Sequence, residues 1–261
     1  MSASDIRTLG PAFSFVFGLI FGSFFNVCIV RLPNDESVVS KRSHCPKCKD
    51  AFPWYLNIPV LSYLWLRGRC RKCKERISVQ YPLVELLTGF LFLWLFHRYG
   101  WSVQFFAYAI YLSALLVITV IDIHHQIIPN EISLPGIVVG FVMALLTGDI
   151  LWWQSLLGIL FGGGLFFLIA FIYEKIAGRE GLGGGDVKLL AMIGAWQGME
   201  SILLVVVLSS FLGSLVGITM MVIKGKNLKF AIPFGPFLAV AAVIYLIWGP
   251  VLTPYLFPMP E

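Results

Sequence analysis

Five stretches of the chain run without a charged residue: residues 11–30, 103–121, 151–173, 202–223 and 230–248. Each matches the roughly 17–25 apolar residues that a helix needs to cross a bilayer. Three shorter or interrupted apolar stretches, residues 82–96, 132–146 and 187–197, read as further helices, the last of them short. The pattern predicts an all-α polytopic membrane protein with about eight transmembrane helices. Burial of so many uncharged stretches inside one small soluble domain is the poorer alternative.

Composition agrees. Of 261 residues, 58% are hydrophobic and only 13% are charged, with a mean hydropathy of +0.85. A soluble domain averages about 25% charged residues. The first apolar stretch reads as a retained helix rather than a cleaved signal, because residues 1–10 are not strongly basic and no small-residue cleavage site follows. With eight spans the loops alternate sides, and 17 of the 19 Lys and Arg then share one side, leaving only Arg7 and Arg98 opposite. The positive-inside rule makes the basic side cytoplasmic. The net charge of +5 is therefore mostly topology. No helix-turn-helix or RNA-binding signature accompanies it, so nucleic acid is not an expected partner.

Residues 31–81 break the apolar pattern. This stretch is basic and holds four of the five cysteines, Cys45 and Cys48 in "HCPKC", Cys70 and Cys73 in "RCRKC". Two Cys-x2-Cys pairs supply four thiolates for a closed, structural tetrahedral Zn²⁺ site. Lys47, Lys49, Arg69, Arg71, Lys72 and Lys74 are placed to favour the thiolates. Two disulfides are the alternative, disfavoured by a reducing cytoplasm. His44 is a possible substitute ligand, and Cys28 reads as a packing residue. The chain thus divides into a first helix (1–30), a cytoplasmic tetra-cysteine module (31–81) and a transmembrane core (82–261).

Carboxylates near apolar spans point to function. Glu85, Asp122 and Asp186 are the candidates, Asp122 in "LLVITVIDIHHQIIPNEIS" and Asp186 in "GLGGGDVKLL". Alternating topology puts both aspartates at cytoplasmic helix ends, where they can face each other. Two adjacent carboxyls split their proton affinities, giving one base to activate water and one acid to protonate a scissile carbonyl. That is the arrangement of an aspartyl peptidase, and no serine-nucleophile or zinc-protease pattern competes with it. Gly183, Gly184 and Gly185 would allow positive φ and close approach of a substrate strand. The alternatives are a flexible loop for the glycines, a helix N-cap for Asp186 and an ordinary interfacial residue for Asp122. Lys188 either biases the acid pair, contacts substrate or snorkels to the interface. Pro233 and Pro236 are expected to break the last helix. Trp54, Tyr55, Trp65, Trp101, Trp152 and Trp153 read as interfacial aromatics.

Six motifs in order resemble the type IV prepilin leader peptidases: "GSFFNVCIVRLP", the two Cys-x2-Cys pairs, "YPLVELLTG", "DIHHQIIPN", "GLGGGDVKLL" with its Gly-x-Gly-Asp, and "IPFGPFLA". Asn130 departs from the Asp that many relatives carry there. The resemblance implies a bacterial inner-membrane enzyme that cuts the leader from prepilins or secretion pseudopilins, after glycine at the cytoplasmic face. It further implies methylation of the new N-terminus with S-adenosylmethionine. By the same resemblance Asp122 and Asp186 are catalytic. Gly183, Gly184, Gly185, Lys188, Pro233 and Gly235 line the substrate, residues 31–81 serve methyl transfer, and residues 82–261 form the peptidase core. Gly68, Asn26, Arg31 and Glu85 are its candidates for the methyl-donor site. A peptidase without methyltransferase activity, a proton-relaying transporter and a non-enzymatic assembly protein with a structural zinc are the rival readings. No internal repeat supports the transporter.

Overall fold

The computed structural model describes residues 3–39, 44–45, 47–178, 183–224 and 232–256. Several basic residues used in the charge argument (Lys41, Arg42, Arg179, Lys226 and Lys229) and the Trp54 and Tyr55 side chains lie outside the described part. Among the described residues the structure is helical, with two isolated β-bridges and no extended sheet. The helices are α1 (Ala3–Arg31), α2 (Leu61–Trp65), α3 (Gln80–Tyr99), α4 (Val103–His125), α5 (Asn130–Thr147), α6 (Trp152–Ile159), α7 (Phe166–Ala177), α8 (Gly184–Gln197), α9 (Met199–Lys224) and α10 (Gly235–Leu256). A π-helical turn, Leu160–Leu165, joins α6 to α7. Leaving α2 aside, these form eight helical runs, one over each predicted apolar stretch. Among the described residues, five helices are long and apolar enough to cross a membrane: Thr8–Asn34, Val103–His125, Asn130–Thr147, Trp152–Ile176 and Met199–Ile223.

The chain forms two compact units, Met1–Ser113 and Ala114–Glu261, so α3 groups with α1 rather than with the later helices. In the first unit α1 lies directly against α3. A Cβ built on Gly18 would fall 2.6 Å from the Thr88 carbonyl oxygen, and one on Gly22 would fall 2.7 Å from Glu85 Cα. This small-xxx-small spacing is how membrane helices bring their backbones together without an aqueous hydrophobic drive.

The second unit is arranged around α8. From Val187 to Gln197 every residue of α8 except Lys188 is buried, with α5, α6, the π turn, α7, α9 and α10 packed around it. A helix buried all round carries no polar face, which is why residues 187–197 show no amphipathic signal. At 14 residues α8 is about 21 Å long, shorter than the hydrocarbon core. Three side-chain bonds to backbone carbonyls hold its far end: Ser155 Oγ to Ala195 at 2.7 Å, Trp196 Nε1 to Gly136 at 2.9 Å, and Gln197 Nε2 to Ala242 at 2.8 Å.

Two sequence expectations fail here. Pro233 and Pro236 do not break the last helix: α10 begins at Gly235, and Pro236 occupies its first turn, where a missing N–H is no loss. Gly183, Gly184 and Gly185 do not adopt positive φ; they are absent from the left-handed glycines. Gly183 is extended at φ −63°, ψ 133°, and the next two begin α8.

Backbone contact between α6 and α8 yields a stability prediction. A Cβ on Gly158 would lie 2.1 Å from the Gly194 carbonyl oxygen, and the reverse holds for Gly194. Gly158→Leu or Gly194→Leu should lower stability by about 1–3 kcal/mol through overpacking, read as a lower unfolding temperature in detergent. Gly164→Ala, where nothing lies within 4 Å, should leave that temperature unchanged.

Candidate active site and candidate metal centre

Asp122 stands in the last turn of α4, buried among apolar neighbours. Its Oδ2 accepts a hydrogen bond of 2.9 Å from the Gly235 N–H, at the start of α10. A Cβ at position 235 would come within 2.7 Å of that same oxygen. Only glycine therefore lets the helix end approach the carboxylate this closely. Asp186 lies in the first turn of α8. It is not the N-cap: Gly183 holds that position without a side-chain bond, and the Asp186 N–H donates back to the Gly183 carbonyl at 3.0 Å. The acidic side chain stays free of the capping role that was its alternative.

Ile128 joins the two carboxylate-bearing segments. Its Cβ would sit 3.0 Å from a Cβ on Gly185, next to Asp186, and its Cδ1 3.4 Å from one on Gly235, the donor to Asp122. The two carboxyls lie within electrostatic reach of each other. A side chain on Gly183 would come 3.2 Å from Asp186 Oδ2, while one on Gly184 would meet open space. The glycines thus keep side-chain bulk away from the acid pair rather than supplying unusual backbone angles. Lys188 donates to Asn130 Oδ1, tying the start of α8 to the start of α5. Beside the α10 start, Ile232, Phe234 and Phe237 line a cleft of about 340 Å³ with Ser210, Gly213 and Ser214. Pro233 is half-buried in the same turn. Ile128 and the Lys188–Asn130 bond were not anticipated. An isoleucine in an apolar stretch carries no signal, and the bond joins residues 58 positions apart.

The four cysteines of residues 31–81 converge, their sulfurs all within 4.8 Å of one another. Cys45 and Cys73 sulfurs are 3.7 Å apart, and Cys48 and Cys70 sulfurs 3.9 Å. No disulfide joins them. A tetrahedral ion with metal–sulfur bonds near 2.3 Å places its ligands about 3.8 Å apart, so the cage fits. The two knuckles repeat each other. His44 bridges Ala51, and Arg69 bridges Arg76. Lys49 and Lys74 adopt left-handed φ of 57° and 59°. Lys47 pairs with Glu75 of the other knuckle, and Lys72 with Asp50 at 3.4 Å. These two lysines pair directly with carboxylates, and Lys47 also lies within electrostatic reach of the Cys73 and Cys45 sulfurs. His44 stands outside the sulfur cluster, in its bridge with Ala51. Backbone N–H groups of Cys73 and Lys72 lower the Cys70 thiol to about 7. Although the Glu75 N–H favours its thiolate, Cys73 is pushed up to about 12 by desolvation and the neighbouring sulfurs. Four sulfurs this close cannot all ionise without a cation.

The residues assigned to a methyl donor are largely engaged by the chain itself. Asn26 Nδ2 donates to the Tyr81 carbonyl at 2.9 Å, Arg31 Nη1 to the Ser37 carbonyl at 3.1 Å, and Glu85 Oε2 accepts from the Val60 N–H at 2.7 Å. Gly68 has φ +66°, and a Cβ there would lie 2.8 Å from the Tyr63 hydroxyl. Asn26 Oδ1 is the one buried polar atom of this set without a partner. The bonds of Asn26, Arg31 and Glu85 join residues 31–81 to α1 and α3.

Residues 16–99 match the Bacterial Peptidase A24 N-terminal domain, and residues 109–218 match the Type IV leader peptidase family. A protein of Aeromonas hydrophila named prepilin leader peptidase/N-methyltransferase is 36% identical, over 92% of this chain and 91% of its own. One of the same name from Neisseria gonorrhoeae is 35% identical, over 92% of each chain. One from Myxococcus xanthus is 41% identical over 83% of this chain and 66% of its own, so this chain spans about two thirds of that relative. No solved structure gives a significant match.

Two outcomes follow from the geometry. The purified chain should carry about one tightly bound metal ion, and Cys45→Ser should lower the content measured by elemental analysis severalfold. Because desolvation and the neighbouring sulfurs raise the proton affinity of the cluster at Cys73, filling the site should release protons, and apparent affinity should rise with pH. Proton release on metal titration in dilute buffer measures this.

Proposed function

This chain belongs to the type IV leader peptidase family, and we propose that it cuts the leader from prepilin-type precursors by means of Asp122 and Asp186. The supporting observation is the convergence of the two carboxylates, from the end of α4 and the start of α8, around Ile128 and Gly235. In this reading one carboxylate takes a proton from a water that attacks the scissile carbonyl. The other, protonated, delivers its proton to the carbonyl oxygen. The Gly235 N–H fixes Asp122 through one oxygen and leaves the other available to that water. Substrate backbone runs past Gly183 and Gly184, where no side chain obstructs it. The cleft at Ile232, Phe234 and Phe237 receives an apolar residue next to the cut bond. Lys188, bonded to Asn130, acts as a strut between α8 and α5.

Cleavage falls after glycine, on the cytoplasmic side where Lys and Arg concentrate, with residues 31–81 on that side as well. The new N-terminal amine is then methylated, a reading supported by the word N-methyltransferase in the relatives' names. S-adenosylmethionine is the donor that this methylation implies, with Asn26, Arg31, Glu85 and Gly68 as its candidate contacts. The Cys45, Cys48, Cys70 and Cys73 cage holds Zn²⁺ as a structural ion with no open position for substrate.

Purified protein incubated with a synthetic prepilin peptide, with and without S-adenosylmethionine, tests both activities by mass. Asp122→Asn and Asp186→Asn should each reduce cleavage by about 10²–10⁴-fold, while methyl transfer to a pre-cut peptide persists. Retained cleavage in either variant would falsify the acid pair. Cys45→Ser should depress methyl transfer more than cleavage; equal loss of both would argue against separable modules. Gly235→Ala should cost about tenfold or more in kcat by displacing the Asp122 carboxylate, with thermal unfolding little changed.

A further inference from the structure

A second surface lies within the first unit. Short helix α2 carries Leu61, Leu64 and Trp65 at 62, 63 and 84% exposure, with exposed Ile58 just before it. Isolated exposed apolar residues need no explanation, but four within eight positions, ending on a tryptophan, form a continuous ridge. The chain turns basic directly after it: Arg67, Arg69, Lys74 and Arg76 are all exposed. Residues 31–81 hold eleven Lys and Arg against four Asp and Glu.

The height of the ridge is set by one hydrogen bond. Val60, which caps α2, adopts φ 62°, an unfavourable backbone for a β-branched residue. In that conformation its N–H reaches Glu85 Oε2 at 2.7 Å. Glu85 lies five residues past Gln80, the first residue of α3, which is about 7.5 Å along that helix axis. The bond therefore draws the start of α2 down to the second turn of α3 instead of letting it project away from the helix ends. Leu83 and Leu87, exposed on α3, lie just above and below that level. The ridge and the outer apolar surface of α3 thus share one depth, with the arginines next to them.

We propose that Ile58, Leu61, Leu64 and Trp65 bed the metal-binding segment into the headgroup layer of the bilayer, and that Arg67 and Arg69 bind anionic lipid headgroups there. The occupant is a lipid surface for two reasons. The segment is tethered at both ends to apolar helices, so bilayer is always within reach. Its charge is also complementary to anionic lipid. Tryptophan at such a depth has its usual amphipathic place, and arginine stems reach phosphate from the same layer. The role is independent of cleavage chemistry.

The full chain is placed in nanodiscs containing lipids brominated at a shallow acyl position, with either phosphatidylglycerol or phosphatidylcholine headgroups. The fluorescence that disappears in Trp65→Phe isolates this residue from the other tryptophans. That component should be quenched about twofold or more by the brominated phosphatidylglycerol lipid, less by the phosphatidylcholine lipid, and little by aqueous iodide. Arg67→Gln with Arg69→Gln should reduce quenching in phosphatidylglycerol to the phosphatidylcholine level. Leu61→Trp in the Trp65→Phe background supplies an independent reporter with the same expected pattern. Prepilin cleavage reports folding of the chain and is expected to stay unchanged. Quenching by iodide alone, quenching by neither agent, or equal quenching in both lipids would overturn the proposal.

Discussion

The hydrogen bond from the Gly235 N–H to Asp122 is the constraint from which the second unit can be understood. A carboxylate buried at a helix end in an apolar chain is costly unless a donor meets it. Here the donor is backbone, from another helix, and the approach is so close that residue 235 can have no side chain. The first turn of α10 must therefore lie against the last turn of α4. Ile128 fills the remaining space and, through Gly185, brings in the start of α8. One polar bond and one apolar wedge set where both acids stand.

Rigidity behind that arrangement comes from missing side chains. Glycine pairs let α6 meet α8 at backbone distance, and Gly136 and Gly140 give α5 room for Met192 and Trp196. In lipid, close van der Waals packing and interhelical hydrogen bonds replace the hydrophobic drive available in water. With its far end bonded to three neighbouring helices, α8 presents Asp186 from a fixed rod. A fixed rod suits the acid–base role proposed for Asp186, because a misplaced carboxylate loses rate steeply with distance.

Much of this was legible in the sequence, for local reasons. Eight apolar stretches gave eight helical runs because each carries its own period and length. Cys45, Cys48, Cys70 and Cys73 were legible because Cys-x2-Cys fixes half a metal cage within four residues. Asp122 and Asp186 stood out because carboxylates beside apolar runs are rare. The Gly235 donor was not legible in that role, since a backbone N–H has no residue signature. Gly183, Gly184 and Gly185 were misjudged because glycine serves positive φ and close packing equally, and only the fold tells which. Lys47 and Lys72 read from sequence as cations favouring the nearby thiolates, and their carboxylate partners carried no signal. Pairing with Glu75 and Asp50 requires the two knuckles to face each other, which spacing alone does not reveal.

That facing arrangement also bears on how residues 31–81 keep their shape. A segment this small cannot bury enough apolar surface to fold by itself. It is closed instead at three points. Asn26 bonds to the Tyr81 carbonyl where the chain leaves and re-enters the helices, Glu85 holds Val60, and the sulfur cage joins the knuckles at the far end. Each crossed ion pair links a lysine of one knuckle to an acid of the other, so both depend on the cage geometry. These exposed pairs contribute little alone; their repetition indicates that the sulfurs set the register and the charges follow. Losing the metal would then relax the far end, while Asn26 and Glu85 still fix the near one. Orientation at the helix ends and shape at the knuckles are thus controlled by different chemistry within one short segment.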